Sequence, residues 1–292
     1  MREGLTFCLS LPLDVAVGGS AERFAPRLFA TGGHDHPRMN HAMEGFYPGA
    51  TDILCDDAVT MTLQYSTQWD ALSHMGYRFD ADGDGVAEIC YYNGWKGGTD
   101  VCDHENGGAK RLSIDRPAAH GLQSRGVLID FVRHFGPERK AVNHADLMRI
   151  LDTDGIVIQR GDILCLHSGF ADALLGMEGK VDHKALRGLG AELDGGDNAL
   201  LNWLNSSGVA AIAADTVAVE TFRRPDAQNP RPLMPLHEHC LFKLGMPLAE
   251  YWHLTPLAHA LADRGRHAFL LTAPPLRLPR AVGSPVTPVA TI

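Results

Sequence analysis

Gln64-Tyr65-Ser66-Thr67-Gln68-Trp69-Asp70-Ala71-Leu72-Ser73-His74 is the stretch from which the fold and chemistry of this chain are read. Gln64, Ser66, Gln68, Asp70 and His74 can each hold a metal or move a proton, and all fall on even positions. A strand alternates its faces with period two, so an extended chain would point all five the same way. Trp69 would then face the core. An edge strand with one wet face gives the same pattern without any chemistry. Two features favour chemistry: long apolar segments surround this polar row, and a cluster of similar residue types lies far downstream.

The surrounding chain reads as mixed strands and helices. Residues 5–17 alternate apolar and small polar residues as a strand does, and Arg125–Val132 is a buried strand. Asn143–Asp152 has helical character with Asn143 placed to cap it. Gly155–Ile158 and Asp162–His167 read as strands around a Gln159-Arg160-Gly161 turn, and Gly208–Asp215 as a fully buried strand. Asn198–Ser206 reads as a short helix, 245–264 as helix or loop and helix, and His267–Thr272 as a late strand before a proline-punctuated tail. No repeat, low-complexity linker or composition break divides the chain, so it is expected to form one α/β domain over residues 1–292.

Composition narrows the function. Apolar residues make up 45% and charged residues 21%, the balance of a soluble globular protein. A net charge of −9 argues against nucleic acid or an anionic membrane as partner, since both favour a basic face. The six cysteines form no CxxC pair, Met1-Arg2-Glu3-Gly4 opens no signal peptide, and no apolar run approaches the roughly 20 residues that span a bilayer. A cytoplasmic protein with reduced thiols is expected. Dinucleotide, P-loop and serine-hydrolase elbow motifs are all missing. The 15 histidines are the one compositional sign of metal or acid–base chemistry.

Two smaller motifs carry less. His34-Asp35-His36 lies in a loop rich in Gly, His and Pro (31–50), where His34, His36 and His41 are expected to face substrate rather than bind metal. Asp80-Ala-Asp82-Gly-Asp84-Gly85 imitates the start of a calcium loop, but its twelfth position is Tyr91, not an acid, so a solvated turn is expected. Residues 86–120 form a long glycine-rich excursion of the kind found beside sites.

The downstream cluster is Pro235-Leu-His237-Glu238-His239, with Glu250 following thirteen residues after His237. With it in place, the chain resembles the cyclase family of metal-dependent hydrolases, which includes kynurenine formamidases, isatin hydrolases and dienelactone-type hydrolases. On the family signature HxGTHxDxPxH, Thr67, Asp70 and His74 match. Gln64 and Gln68 stand for two His, Ser66 for Gly and Leu72 for Pro, as in a Gln-Trp-Asp branch. Arg125–Asp130, Gly161–Gly169, Ala214-Asp215-Thr216, His237…Glu250 and Gly283–Ala290 resemble further family blocks in the same order.

The resemblance implies a swivelling β/β/α fold with a mixed sheet, a homodimer or homotetramer, and a small-molecule substrate. It implies one divalent metal on Gln68, Asp70 and His237, with Gln64 a weaker candidate because it reaches the ion only through a sharp turn. His239 is the alternative to His237. His74 and Glu250 are the implied proton-transfer groups. Zinc is the first expectation. Manganese is the second, because a carboxamide oxygen is a harder and weaker donor than imidazole. The implied reaction is hydrolysis of a cyclic amide, lactone or formamide of a small aromatic-derived carboxylate by metal-activated water. A metal-free isomerase or cyclase using His74 and Glu250, and a non-catalytic binding protein, remain as alternatives.

Overall fold

The structure is a computed structural model that describes residues 3–15, 23–34, 36–226, 228 and 230–292. Its centre is a nine-stranded mixed sheet. In chain order the strands are β1 (Thr6–Cys8), β2 (Gln68–Asp70), β3 (Gln123–Asp130), β4 (Ile163–His167) and β5 (Ala211–Ala214), then β6 (Leu248–Glu250), β7 (Ala268–Thr272), β8 (Gly283–Pro285) and β9 (Val289–Thr291). Their spatial order is β1-β9-β7-β3-β4-β5-β6-β2-β8. The central four, β3 to β6, run parallel, and every other pairing is antiparallel. This is the mixed α/β architecture expected of the sequence.

Alternation along each strand splits the core into two layers. Val127, Ile129, Leu164, Leu166, Ile212 and Leu248 pack on one face with α1 (His144–Asp154) and α2 (Asn198–Ser207). Leu128, Cys165, Ala213, Ala249 and Phe269 face the other side with α3 (Thr255–Ala262). Asn143 caps α1 by accepting a hydrogen bond from the Asp146 amide at 2.9 Å. Trp69 sits on the α3 face, edge-on to Trp252 at 5.4 Å, and its Nε1 donates to the Ala273 carbonyl at 2.9 Å. It is core, as the period-two argument requires. Gln68 and Asp70 consequently lie on the opposite face, the one that carries α1 and α2.

Several expectations are corrected. Only Gln68–Asp70 of the opening stretch is strand; residues 63–67 turn, closed by a Tyr65 amide bond to the Thr62 carbonyl at 3.1 Å. Phe131 and Val132 belong to a short helix, Phe131–Phe135, which begins where Asp130 accepts from the Arg133 amide. Gly155–Ile158 is irregular, and only Thr6–Cys8 of 5–17 is strand, with residues 16 and 17 outside the described set. The proline-punctuated tail supplies two strands of the sheet, β8 and β9. Residues 27–60 form two small ribbons, Arg27–Ala30 with Asp57–Thr60 and His41–Ala42 with Ile53–Leu54. Among the described residues, no helix is long and apolar enough to cross a membrane, and all six cysteines are free.

Candidate metal centre

Three strand ends and one helix start assemble the site. Gln68 and Asp70 project from the same face of β2, and Glu250 at the end of β6 is registered directly opposite Gln68. His237 comes from the other side, at the end of a short helical turn, Pro235–His237, that runs on as a π-helix over Glu238–Leu244. One ligand atom each from Asp70, His237 and Glu250 lie within 4.8 Å of one another, and all three residues are buried.

The partners fix these side chains. The first N–H groups of a helix lack intrahelical acceptors. Here Glu220 supplies two: its Oε2 accepts from the Leu236 amide and its Oε1 from the His237 amide, both at 2.7 Å. The same Oε1 meets His237 Nδ1 at 2.8 Å, which aims Nε2 at Glu250 Oε1 (3.3 Å) and Asp70 Oδ2 (3.9 Å). A carboxylate behind a histidine in this way sets its tautomer and orientation. Gly195 makes room for Glu220, since a Cβ there would fall 2.1 Å from its Oε2. Gln68 Nε2 donates to Glu250 Oε2 at 2.9 Å and to Asp70 Oδ1 at 3.3 Å. Its oxygen would face the cluster only after a half-turn of the carboxamide.

Glu250 is held by an unusual backbone. The next residue, Tyr251, is buried with φ +58°, a left-handed conformation that costs a non-glycine residue about 1–3 kcal/mol. Its carbonyl accepts from Thr67 Oγ1 at 2.5 Å, and Thr67 Oγ1 accepts from the Leu11 amide at 2.9 Å. The strand thus ends abruptly, with the carboxylate of Glu250 left facing β2.

Electrostatics in the site are unbalanced without a further cation. Asp70, Glu220 and Glu250 are all buried, against one imidazole. Burial, and then the charge of Asp70, push the Glu250 carboxyl up to about 7. Burial alone would lower His237, but its bonds to Glu220 and Glu250 push it up to about 10. Burial lowers His74, with Asp70 pulling the other way and the positive charges of His237 and Arg23 lowering it further. Asp70 Oδ2 and Gln68 Oε1 are buried with no hydrogen-bond partner. Buried polar atoms without partners and an excess of buried negative charge are both costly. A divalent cation among Asp70, His237 and Glu250 would give Asp70 Oδ2 a partner and offset the excess negative charge, so the residues present fit one.

Other sequence candidates fall at different distances from this centre. His74 Nε2 lies 3.8 Å from Asp70 Oδ1 with 21% of its side chain exposed, at the edge of the cluster. The Gln64 carboxamide packs where a Gly283 Cβ would be, 2.4 Å from its Nε2. Gly283 is registered opposite Asp70, which places Gln64 beside Asp70 on the same face. His239 turns away and meets the Leu201 carbonyl at 3.1 Å. His34 and His36 are exposed and His41 stacks at 5.4 Å on Phe46 in the ribbon lobe, so the structure does not bring these three into the cluster. Asp80, Asp82, Asp84 and Glu88 form a second, exposed acidic group. Asp80 and Glu88 spend oxygens on the Gly83, Gly85 and Ala81 amides at 2.7–2.9 Å, as in a solvated turn.

Glu220, Gly195 and Gly283 were not legible as site residues. The only sequence signal for Glu220 is an acid ending the apolar run Val217-Ala218-Val219, where burial would demand a partner.

The fold and the buried Asp–His–Glu cluster together define a class of α/β protein with a metal-compatible centre at a sheet end. Comparison with known proteins makes this specific. The cyclase family model matches residues 9–221, and the chain belongs to that family. A crystal structure described as a novel cyclase is 29% identical and superposes with a TM-score of 0.75 over 100% of this chain and 89% of that one. Isatin hydrolase A from Labrenzia aggregata, bound to benzyl benzoate, shares the fold at 13% identity and TM-score 0.62, covering 99% of this chain and 93% of that one. A "Potential Metal-Dependent Hydrolase With Cyclase Activity" shares it at 14% identity and TM-score 0.56, covering 98% and 97%. No curated protein matches.

Proposed function

We propose that the protein is a metal-dependent hydrolase that opens a carbonyl C–N or C–O bond, in a cyclic amide, lactone or formamide, of a small aromatic-derived carboxylate. The observation that carries this reading is the convergence of Asp70, His237 and Glu250, with the Asp70 Oδ2 oxygen buried and without a partner. The likeness to isatin hydrolases supports a cyclic amide as the bond.

Asp70, His237 and Glu250 would hold one divalent ion, zinc ahead of manganese, with Glu220 orienting His237 from behind. Such an ion supplies Lewis-acid polarisation of the carbonyl and acidifies a water. Gln68 holds the two carboxylates at fixed separation through its Nε2. His74, 3.8 Å from Asp70 at the exposed edge of the cluster, would take a proton from the attacking water at Nε2 and hand it to the departing nitrogen or oxygen. Glu250 is thereby assigned to holding the ion, and His74 becomes the proton-transfer group.

Elemental analysis of the purified protein beside Asp70→Asn and His237→Ala tests this reading. Near one equivalent of zinc or manganese in wild type, lost in both variants, together with hydrolysis of a carboxylate-bearing cyclic amide or lactone that chelation stops, is the expected result. Hydrolysis that survives exhaustive chelation, or wild type that takes up no ion, would overturn it.

A further inference from the structure

The hydrolase reading asks an anionic substrate to approach a protein of net charge −9 and a centre holding three buried carboxylates. Like charge at that range opposes binding unless a cation is placed locally to offset it. Arg23 occupies that position. Its Nη1 donates to the Gln64 carbonyl at 3.1 Å, which fixes the half-buried guanidinium over the turn that leads into Gln68 and Asp70. A guanidinium has five N–H groups. Among the described residues this one has no carboxylate partner and only that single carbonyl. Its positive charge nevertheless reaches the site, acting on His74, Glu250 and Tyr251 alike.

Two buried polar atoms in the same turn also lack partners, Gln64 Nε2 and Ser66 Oγ. Gln64 is 9% exposed and Ser66 2%. Both can donate a hydrogen bond. An under-used arginine bound to a turn that carries unsatisfied donors is chemistry suited to a carboxylate, because the guanidinium fork matches its two oxygens. Among the described residues, none supplies that anion.

We propose that Arg23 is the specificity-determining residue that pairs with the substrate's carboxylate, assisted by the donors of Gln64 and Ser66. This rests on the hydrolase reading for the identity of the substrate, but it is testable by binding alone. A charge-assisted hydrogen bond of this kind corresponds to about 10- to 100-fold in affinity.

Benzoate and benzamide, matched in shape and different in charge, would be titrated calorimetrically into wild type, Arg23→Met and Arg23→Lys, with the metal content of each sample measured. Wild type is expected to bind benzoate more tightly than benzamide. Arg23→Met should weaken benzoate by about 10- to 100-fold, leaving benzamide and metal content unchanged, and Arg23→Lys should fall between. If Arg23→Met fails to fold, Arg23→Lys decides alone: benzoate must weaken and benzamide must not. Equal binding of the two probes to wild type, no measurable binding of either at millimolar concentration, or a preference that survives in Arg23→Met would overturn the proposal. Absence of metal from wild type would instead strike at the hydrolase reading, and the charge preference would still be read.

Discussion

Glu220→Gln separates orientation of the centre from its ligand set. The substitution preserves shape and removes one oxygen acceptor and one charge. With the remaining oxygen at the Oε1 position, the bonds from the His237 amide and Nδ1 survive, but the new NH2 group faces the Leu236 amide, which loses its 2.7 Å partner. The flipped carboxamide keeps Leu236 and loses both His237 contacts, so the first orientation is preferred. A buried amide left unpaired costs about 1–3 kcal/mol, and each surviving bond weakens from charge-assisted to neutral, about 1 kcal/mol each. Against this, one of three buried negative charges is removed. A net loss of about 2–4 kcal/mol follows, or roughly 3–7 °C in Tm for a chain of this size. Metal affinity should fall about 10- to 100-fold because His237 loses the carboxylate behind Nδ1. Thermal unfolding of the metal-free protein and competition with a chelator of known affinity measure the two effects separately. Unchanged Tm together with unchanged metal affinity would refute the role assigned to Glu220.

Gly195→Ala should reproduce much of the Glu220→Gln effect by pressure on Oε2, with the lowered metal affinity again read by chelator competition. Gly283→Ala should displace the Gln64 carboxamide and lower stability by about 1–3 kcal/mol, as overpacking does, measurable by urea unfolding. Asn143→Ala, which removes the cap of α1, should cost about 1 kcal/mol in the same assay and leave metal content untouched. Burial pushes Glu192 up from its ordinary 4.5 to about 7, with Arg139 at 2.9 Å opposing and the charge of Glu220 adding to the rise. A raised carboxyl pKa means the folded state holds the proton more tightly, so the stabilisation is full below pH 4.5 and is lost as pH rises to about 7. The loss is about 3 kcal/mol at most. The stability difference between wild type and Glu192→Gln should decline across that window, and a flat difference would refute it.

The parts of the fold that could be read from sequence are those whose signal is local. Four apolar residues in a row mark β5 whatever surrounds them, and Asn143 caps α1 through its own chain. The short elements were not legible. β6, β8 and β9 have three residues each, too few for a period to show, and their extended form depends on neighbours already in place. The same reasoning explains the opening stretch. Its alternation is real at Gln68, Trp69 and Asp70, where β6 and β8 pair with it on both sides, and it ends where the pairing does, so Gln64 and His74 reach the site by turns rather than along a strand.

The site was half legible for a related reason. Donor types reveal themselves one residue at a time, so Asp70, His237 and Glu250 could be named before the fold was known. The residues that make them a centre act across the chain: Glu250 against Gln68 over 182 positions, and Glu220 behind His237 over 17. No spacing rule finds a buried acid whose purpose is to satisfy a distant helix start and imidazole at once. What singles out Glu220 is charge balance. Three carboxylates at 0–3% exposure cannot be sustained by one imidazolium and a carboxamide. A fold that keeps all three, and also holds Tyr251 in a left-handed conformation beside one of them, has the charge balance that the proposed divalent cation would complete.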